Sequence, residues 1–286
     1  MNIKLAEKNM VAVAGKHFDY ESLFPFVNRP SRYLGCEWNS ISKPAEFRKN
    51  AVSICLCFPD LYETGFANAG IEILYQVINR RNDAFAERAY AADSDLAALL
   101  REKKAPLFSL ENRIPLNQFD VVGFGLPYEL CYTNVLEMLD LSGIPVRSSE
   151  RGMGDPLIIA GGPCAVNPEP MADFLDAVVI GDGEEIVGEL VDVVKSWKVS
   201  GGGRIELLKE LAKIPGLYVP ALYDVKYNAD GTFAEIAPKY EGAAAKIVYR
   251  RTDIEKFAAD SGSHFIAPVV PFVQTVHDRL NVEIQR

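Results

Sequence analysis

Between residues 51 and 198 the sequence alternates short, nearly unbroken apolar runs with longer stretches whose apolar residues recur every three or four positions. No other feature narrows the possible folds as much. The runs cover residues 51–58, 84–90, 120–126, 156–160 and 177–180, each bounded by glycine, proline, asparagine or aspartate. They are too short for helices and too uniformly apolar for half-exposed strands, so each predicts a strand buried on both faces. Parallel neighbours need a long crossover between them, and helices on both faces make such strands read as solid apolar runs. The expected fold is therefore α/β: a flavodoxin-like (Rossmann-like), doubly wound, parallel five-stranded sheet.

The intervening stretches supply the helices. Ile71, Leu74, Tyr75 and Ile78 share one helix face, and Leu96, Leu99 and Leu100 follow the capping run Asp93-Ser94-Asp95. Leu130, Val135, Leu136 and Leu139 mark a third helix that stops near Gly143, and a fourth runs from Glu184 to about Lys198.

Around the flavodoxin-like domain (51–200), residues 1–50 read as an irregular, partly helical extension. Ser200-Gly201-Gly202-Gly203 is a flexible break and the expected domain edge. Residues 201–260 read as a small α+β subdomain, with a helix over 205–213 and strands over 217–227, 233–240 and 246–251 around the turn Asn228-Ala229-Asp230-Gly231. Residues 261–286 read as an extended linker, spaced by Pro268 and Pro271, that ends in an alternating run over 280–286. That run predicts a strand with no partner, and an unpaired strand edge invites another chain, so a further segment is expected after it.

Composition removes several function classes. Asp+Glu 39 against Lys+Arg 30 leaves a net charge of −9, which argues against a broad phosphate-binding surface and hence against nucleic acid as a direct partner. No apolar run reaches the roughly 20 residues that cross a bilayer, and the N-terminus lacks a signal-peptide core, so no membrane partner and a cytoplasmic location are expected. The five cysteines (Cys36, Cys55, Cys57, Cys131, Cys164) are odd in number and form no CxxC pair, so reduced thiols are expected rather than a disulfide framework or a zinc site. Cys55 and Cys57 share one strand face, where small buried residues are the simpler reading.

In doubly wound sheets ligands settle at the carboxyl ends of the strands, where strand order reverses. Those ends fall at residues 59–65, 127–129, 161–164 and 181–184. Asp60-Leu61-Tyr62-Glu63-Thr64-Gly65 places a carboxylate, a phenol and a glycine just before a helix, as either a ligand-approach turn or an aspartate cap with a turn glycine. Gly161-Gly162-Pro163 and Gly181-Asp182-Gly183-Glu184 repeat the theme, leaving room for a ligand tail or simply ending strands. The candidate cofactor-binding residues are thus Asp60, Tyr62, Gly65, Tyr128, Gly161, Gly162, Gly181, Gly183 and Glu184; no catalytic or metal-ligating residue is assigned. The rim lacks a phosphate-loop lysine, and no G-x-G-x-x-G succeeds the first strand, so nucleotide hydrolysis and ordinary NAD chemistry lose support. A free-standing flavodoxin-like enzyme using FMN finds no support in these residue types either. His17, His264 and His277 lie off the rim and read as surface or structural residues, as do the carboxylates Glu184-Glu185 and Asp253/Glu255.

Several stretches together resemble the N-terminal portion of cobalamin (B12)-binding-domain radical SAM proteins. They are Ser31-Arg32-Tyr33-Leu34-Gly35, the run from Cys55 to Gly65, Tyr128-Glu129-Leu130-Cys131-Tyr132-Thr133-Asn134, the run from Ala160 to Pro170, and Ile180-Gly181-Asp182-Gly183-Glu184-Glu185. The likeness extends from about Arg29 to Arg286, ending just before the family's CxxxCxxC motif. It implies a flavodoxin-like, cobalamin-binding-type domain that precedes a partial TIM barrel. In that family the barrel holds a 4Fe-4S cluster through CxxxCxxC, and S-adenosylmethionine binds the iron that no cysteine holds. Cluster and S-adenosylmethionine are accordingly expected only in a C-terminal part beyond this chain, with the radical SAM barrel as partner in cis or in trans. None of the five cysteines fits the motif, so the chain is not expected to be catalytic alone. The family's D-x-H-x-x-G frame carries Tyr62 in the histidine place, and a phenol with a pKa near ~10 is a poor cobalt donor at neutral pH. Cobalamin, as implied by the resemblance, would not be histidine-ligated from this loop. Two functions are compatible with this: a module that positions cofactor and substrate, or a non-catalytic scaffold with a degenerate cobalamin site packed on the barrel.

Overall fold

Five parallel strands and one antiparallel strand form the main sheet in the computed structural model, which describes residues 18–253 and 268–276. They are β1 (Val52–Phe58), β2 (Ala84–Tyr90), β3 (Val121–Gly125), β4 (Leu157–Gly161), β5 (Ala177–Val179) and β6 (Leu217–Tyr218), in the order β2-β1-β3-β4-β5-β6. The first five are mutually parallel, as their solid apolar character requires, and strand order reverses between β1 and β3. Helices α1 (Ala45–Arg48), α2 (Tyr62–Gly65), α3 (Ala69–Asn79), α4 (Ser94–Lys103), α5 (Tyr132–Leu141), α6 (Gly183–Ser200) and α7 (Arg204–Leu211) complete the order. Helix α3 opens on Asn68, whose side chain accepts from the Ile71 amide at 3.0 Å, and buries Ile71, Tyr75 and Ile78 as the spacing predicts. Helix α4 opens on Asp93, which accepts from the Ser94 amide at 2.7 Å. Cys55 and Cys57 lie fully buried on one face of β1, their sulfurs 3.8 Å apart, as small core residues.

The β2 edge is sealed. All seven of its residues are buried, Glu87 and Arg88 included. The Leu110 amide donates to the Arg88 carbonyl at 2.8 Å, and Tyr20 reaches over to the Pro106 carbonyl at 3.0 Å, so the segment before β1 and the loop after α4 together cover the strand. Arg88 donates through Nε to Glu111 at 2.7 Å and through Nη2 to Glu37 at 3.1 Å, with the Tyr75 ring 5.1 Å from its guanidinium carbon. Glu87 accepts from the Ser109 hydroxyl and the Asn112 side-chain amide, each at 2.6 Å. Burying charge is tolerable here because each is paired and hydrogen-bonded.

The structure revises the far side. The strand expected over 217–227 divides at Pro220, which has no N–H to donate and turns the chain through a short 3-10 helix. Its first part, β6, joins the main sheet antiparallel to β5, and α7 packs Leu207, Leu208 and Leu211 into the same core, so the glycine run at 201–203 does not open a separate layer. Its second part, β7 (Tyr223–Tyr227), pairs with β8 (Phe233–Pro238) in a separate two-stranded sheet. The strand expected over 246–251 reduces to one parallel bridge between Arg250 and Gly181. The helix expected from Leu130 begins at Tyr132, because a 3-10 turn over Glu129–Cys131 precedes it, and Leu130 points outward at 87% exposure. His17, His264, His277, Glu255 and the terminal run at 280–286 lie outside the described residues.

Candidate functional site

The reversal between β1 and β3 sets the loop after β1 beside the loop after β3, and two residues 68 apart in sequence meet there. Asp60 accepts a short hydrogen bond from the Tyr128 hydroxyl through Oδ2 and the Leu61 amide at 2.7 Å through Oδ1. Its carbonyl takes the Ala91 amide at 3.0 Å, and Asn134 ties the neighbouring Pro59 carbonyl at 2.9 Å. The bond to Asp60, with burial adding to it, pushes the Tyr128 phenol up to about 12, so it is a neutral donor at physiological pH. Asp60 and Tyr128 together span the crevice where the fold would admit a ligand.

Four further groups gather beside this bridge. The Cys131 thiol donates to the Tyr128 carbonyl at 2.8 Å, and Cys164 lies against Glu129 and Tyr132. Burial raises both thiols, which disfavours the nucleophilic thiolate. Residue type alone does not single out Cys131, Glu129 or Cys164 as rim residues; the signal is their place in the same motifs as Tyr128 and Gly162. Among the described residues no three of His, Cys, Asp or Glu are placed to hold a metal ion.

The remaining candidates are spread out. Tyr62 departs from its expected place on the rim: it is 2% exposed, its hydroxyl donates inward to Glu37 at 3.0 Å, and its ring packs 5.2 Å from Tyr90 and 5.1 Å from Phe66. Burial raises its phenol far above the ordinary value. The first turn of α2 offers that side chain an aromatic pocket with an acceptor at its base, and this outweighs exposure at the rim. Gly65 serves packing as well, since a Cβ there would sit 2.5 Å from the Phe58 ring.

At the β4 end, Gly161 could carry a methyl group in ordinary contact with Val179 at 3.5 Å, whereas Gly162 has φ +109° and would press a Cβ to 3.0 Å from the Leu126 carbonyl. At the β5 end, Gly181 (φ +130°) lies under the backbone of Arg250, whose carbonyl is 2.1 Å from where a Cβ would be. Arg250 donates its amide to Ile180 at 3.0 Å and accepts from Asp182 at 2.8 Å, while its guanidinium grips Glu185 at 2.9 Å and Glu189 at 2.6 Å on α6. Thr252 continues the strap, donating its amide to Asp182 at 2.9 Å. Gly183 packs α6 on Leu74, 3.2 Å from a virtual Cβ, and Glu184 is buried in the first turn of α6.

At Gly65, Gly162 and Gly181 the space that glycine opens at the sheet's carboxyl edge is thus taken up by this chain's own backbone and rings, while Gly161 keeps room for a methyl group. At the β5 end these residues do not fit an open slot for a cobalamin tail, because the Arg250 backbone covers Gly181, and Tyr62, in the histidine place, faces inward.

Fold and rim define a Rossmann-like α/β module with the Asp60–Tyr128 hydrogen bond at its strand reversal and the Arg250 backbone over Gly181 at the β5 end. Residues 70–220, more than half of the chain, match the family described as radical SAM proteins, N-terminal, and the chain belongs to that family. Among solved structures it resembles the radical S-adenosylmethionine methyltransferase TsrM from Kitasatospora setae, determined with its tryptophan substrate and the SAM analogue aza-SAM. The match has 17% identity and a TM-score of 0.36, over 63% of this chain and 29% of that one. The chain therefore spans less than a third of that relative's length, and so slight a likeness carries no functional weight. No curated protein matches the sequence. No helix among the described residues is long and apolar enough to cross a membrane.

Proposed function

We propose that this chain is the non-catalytic scaffold module of a radical SAM enzyme: its strand-end rim packs on the radical SAM barrel of the same protein and walls the substrate cavity, and its cobalamin slot is degenerate. Family membership supports the radical SAM context. The observation that carries the scaffold reading is the Arg250 strap, whose backbone lies over Gly181 where a ligand tail would enter. The cluster and S-adenosylmethionine, held by the barrel, supply the radical chemistry. This chain's contribution is a rigid wall: the Asp60–Tyr128 bond fixes the two loops at the crevice, and Leu130 and Val166 project from the same rim as apolar contacts for a neighbouring domain.

Incubating the purified chain with hydroxocobalamin and passing it through gel filtration tests the reading. The expected result is protein free of corrin absorbance. Corrin retained near one equivalent would overturn it and restore the cofactor-positioning role.

A further inference from the structure

The two-stranded sheet β7–β8 is amphipathic, and half of its apolar face is open. Register sets Tyr223 across from Pro238 and Val225 from Ile236, and a bulge between Lys226 and Tyr227, which skips Ala234, brings Phe233 across from Tyr227, so the apolar pairs follow one another along the ribbon. The opposite face is finished for water, with Lys226 paired to Glu235 at 2.8 Å and Lys239 to Asp224 at 3.1 Å. The inner end of the apolar face is covered by this domain: Tyr223 is buried, its ring 4.9 Å from that of Tyr218, and Ile236 packs on the core. The outer end is not, with Val225 38%, Tyr227 66% and Phe233 58% exposed.

An isolated two-stranded hairpin is marginal in water and needs cover on its apolar face. Two observations say what covers it. The family match stops at residue 220, just before β7 begins at Tyr223, so the hairpin lies on the C-terminal side of the matched unit, the side on which a barrel would be joined to it. From the hairpin the chain returns through Val248 and Tyr249, both exposed, and reaches Gly181 at Arg250, so the hairpin is tied through a short connection to the edge proposed above to meet the barrel. A second copy is a poor occupant, because two chains of net charge −9 repel.

We infer that the outer half of this face, Val225, Tyr227 and Phe233, clasps an apolar patch on the radical SAM barrel of the same polypeptide. This rests on the scaffold reading and adds to it a contact that the rim does not provide. The test places the photoreactive analogue p-benzoylphenylalanine at position 227 or 233 of the full-length protein, with position 226 on the charged face as control and position 130 on the rim as a separate probe. After irradiation, cross-linked peptides are mapped by mass spectrometry. Positions 227 and 233 should link to the barrel within one chain at least tenfold more than position 226. Cross-links confined to residues 18–253, a cross-linked dimer, or equal yield from position 226 would each overturn the clasp. If position 130 reaches the barrel and 227 and 233 do not, the clasp falls and the scaffold reading stands. If none of the three does, both fall.

Discussion

The two edges of the main sheet are finished in opposite ways. At β2 the chain spends two segments of its own on cover, and the charges it buries there are all paired inside the molecule. At the β5–β6 side the last strand is only two residues long, a single strap crosses the rim, and the adjoining hairpin leaves aromatic side chains in water. The first edge is closed by this chain's own segments and paired charges, although Phe26 and Trp38 on that cover stay exposed. The second leaves Tyr227 and Phe233 of the adjoining hairpin exposed and is tied down by the Arg250 strap, so it depends on fewer internal contacts.

Perturbing each edge should separate them. The largest effect is expected from Arg88→Met, which leaves Glu37 and Glu111 buried without their counter-charge: a loss of about 3–5 kcal/mol in urea unfolding. A loss below ~1 kcal/mol would mean that the β2 edge is wetter than its burial implies. Next comes Gly181→Ala, which combines a positive φ with a clash against the Arg250 carbonyl, and should cost about 1–3 kcal/mol and expose the bonds after Arg250 and Arg251 to trypsin. Its neighbour on the rim, Gly161→Ala, has room for the methyl group and should stay within about 0.5 kcal/mol; equal effects at the two positions would mean that the strap does not press on Gly181.

Tyr128→Phe should cost on the order of 1 kcal/mol, read by the same denaturation, since it deletes one hydrogen bond at the crevice and leaves Asp60 partly solvated. The smallest effect concerns pH. Arg81 first, then Lys195, hold the Asp83 carboxyl down at about 2, below its ordinary 3.8. Its folded pKa being depressed, the stability it contributes is present above about pH 4 and lost as pH falls through about 2. Partial solvation keeps this under about 1 kcal/mol, and Asp83→Asn should flatten the acid limb of the stability curve by that amount.

The central sheet was legible because burial on both faces writes itself into sequence as uninterrupted apolar runs, and the five parallel strands fall within a residue or so of those runs. That the strand expected over 217–227 would divide at Pro220, its first two residues joining the main sheet against β5, was not, since so short a segment carries no pattern that says which sheet it joins. Of the candidate site, Asp60 and Tyr128 could be placed at one crevice because the order of strands fixes which loops meet. The side toward which Tyr62 turns could not, for that depends on Glu37, 25 residues earlier, waiting as an acceptor. Nor does anything near Gly181 announce that the backbone of Arg250 will fill the gap its missing side chain leaves. A glycine at a strand end can mark a close approach, as at Gly181, or none, as at Gly161, and only the folded chain says which.

The placement of Glu37 has a consequence for vectorial synthesis. It leaves the ribosome early, yet its counter-ion Arg88 emerges 51 residues later and the loop that brings Glu111 later still. The first-made segment is therefore among the last to settle, and a nascent chain halted before residue 111 holds Tyr20, Leu23 and Phe24 with no completed edge to lean on.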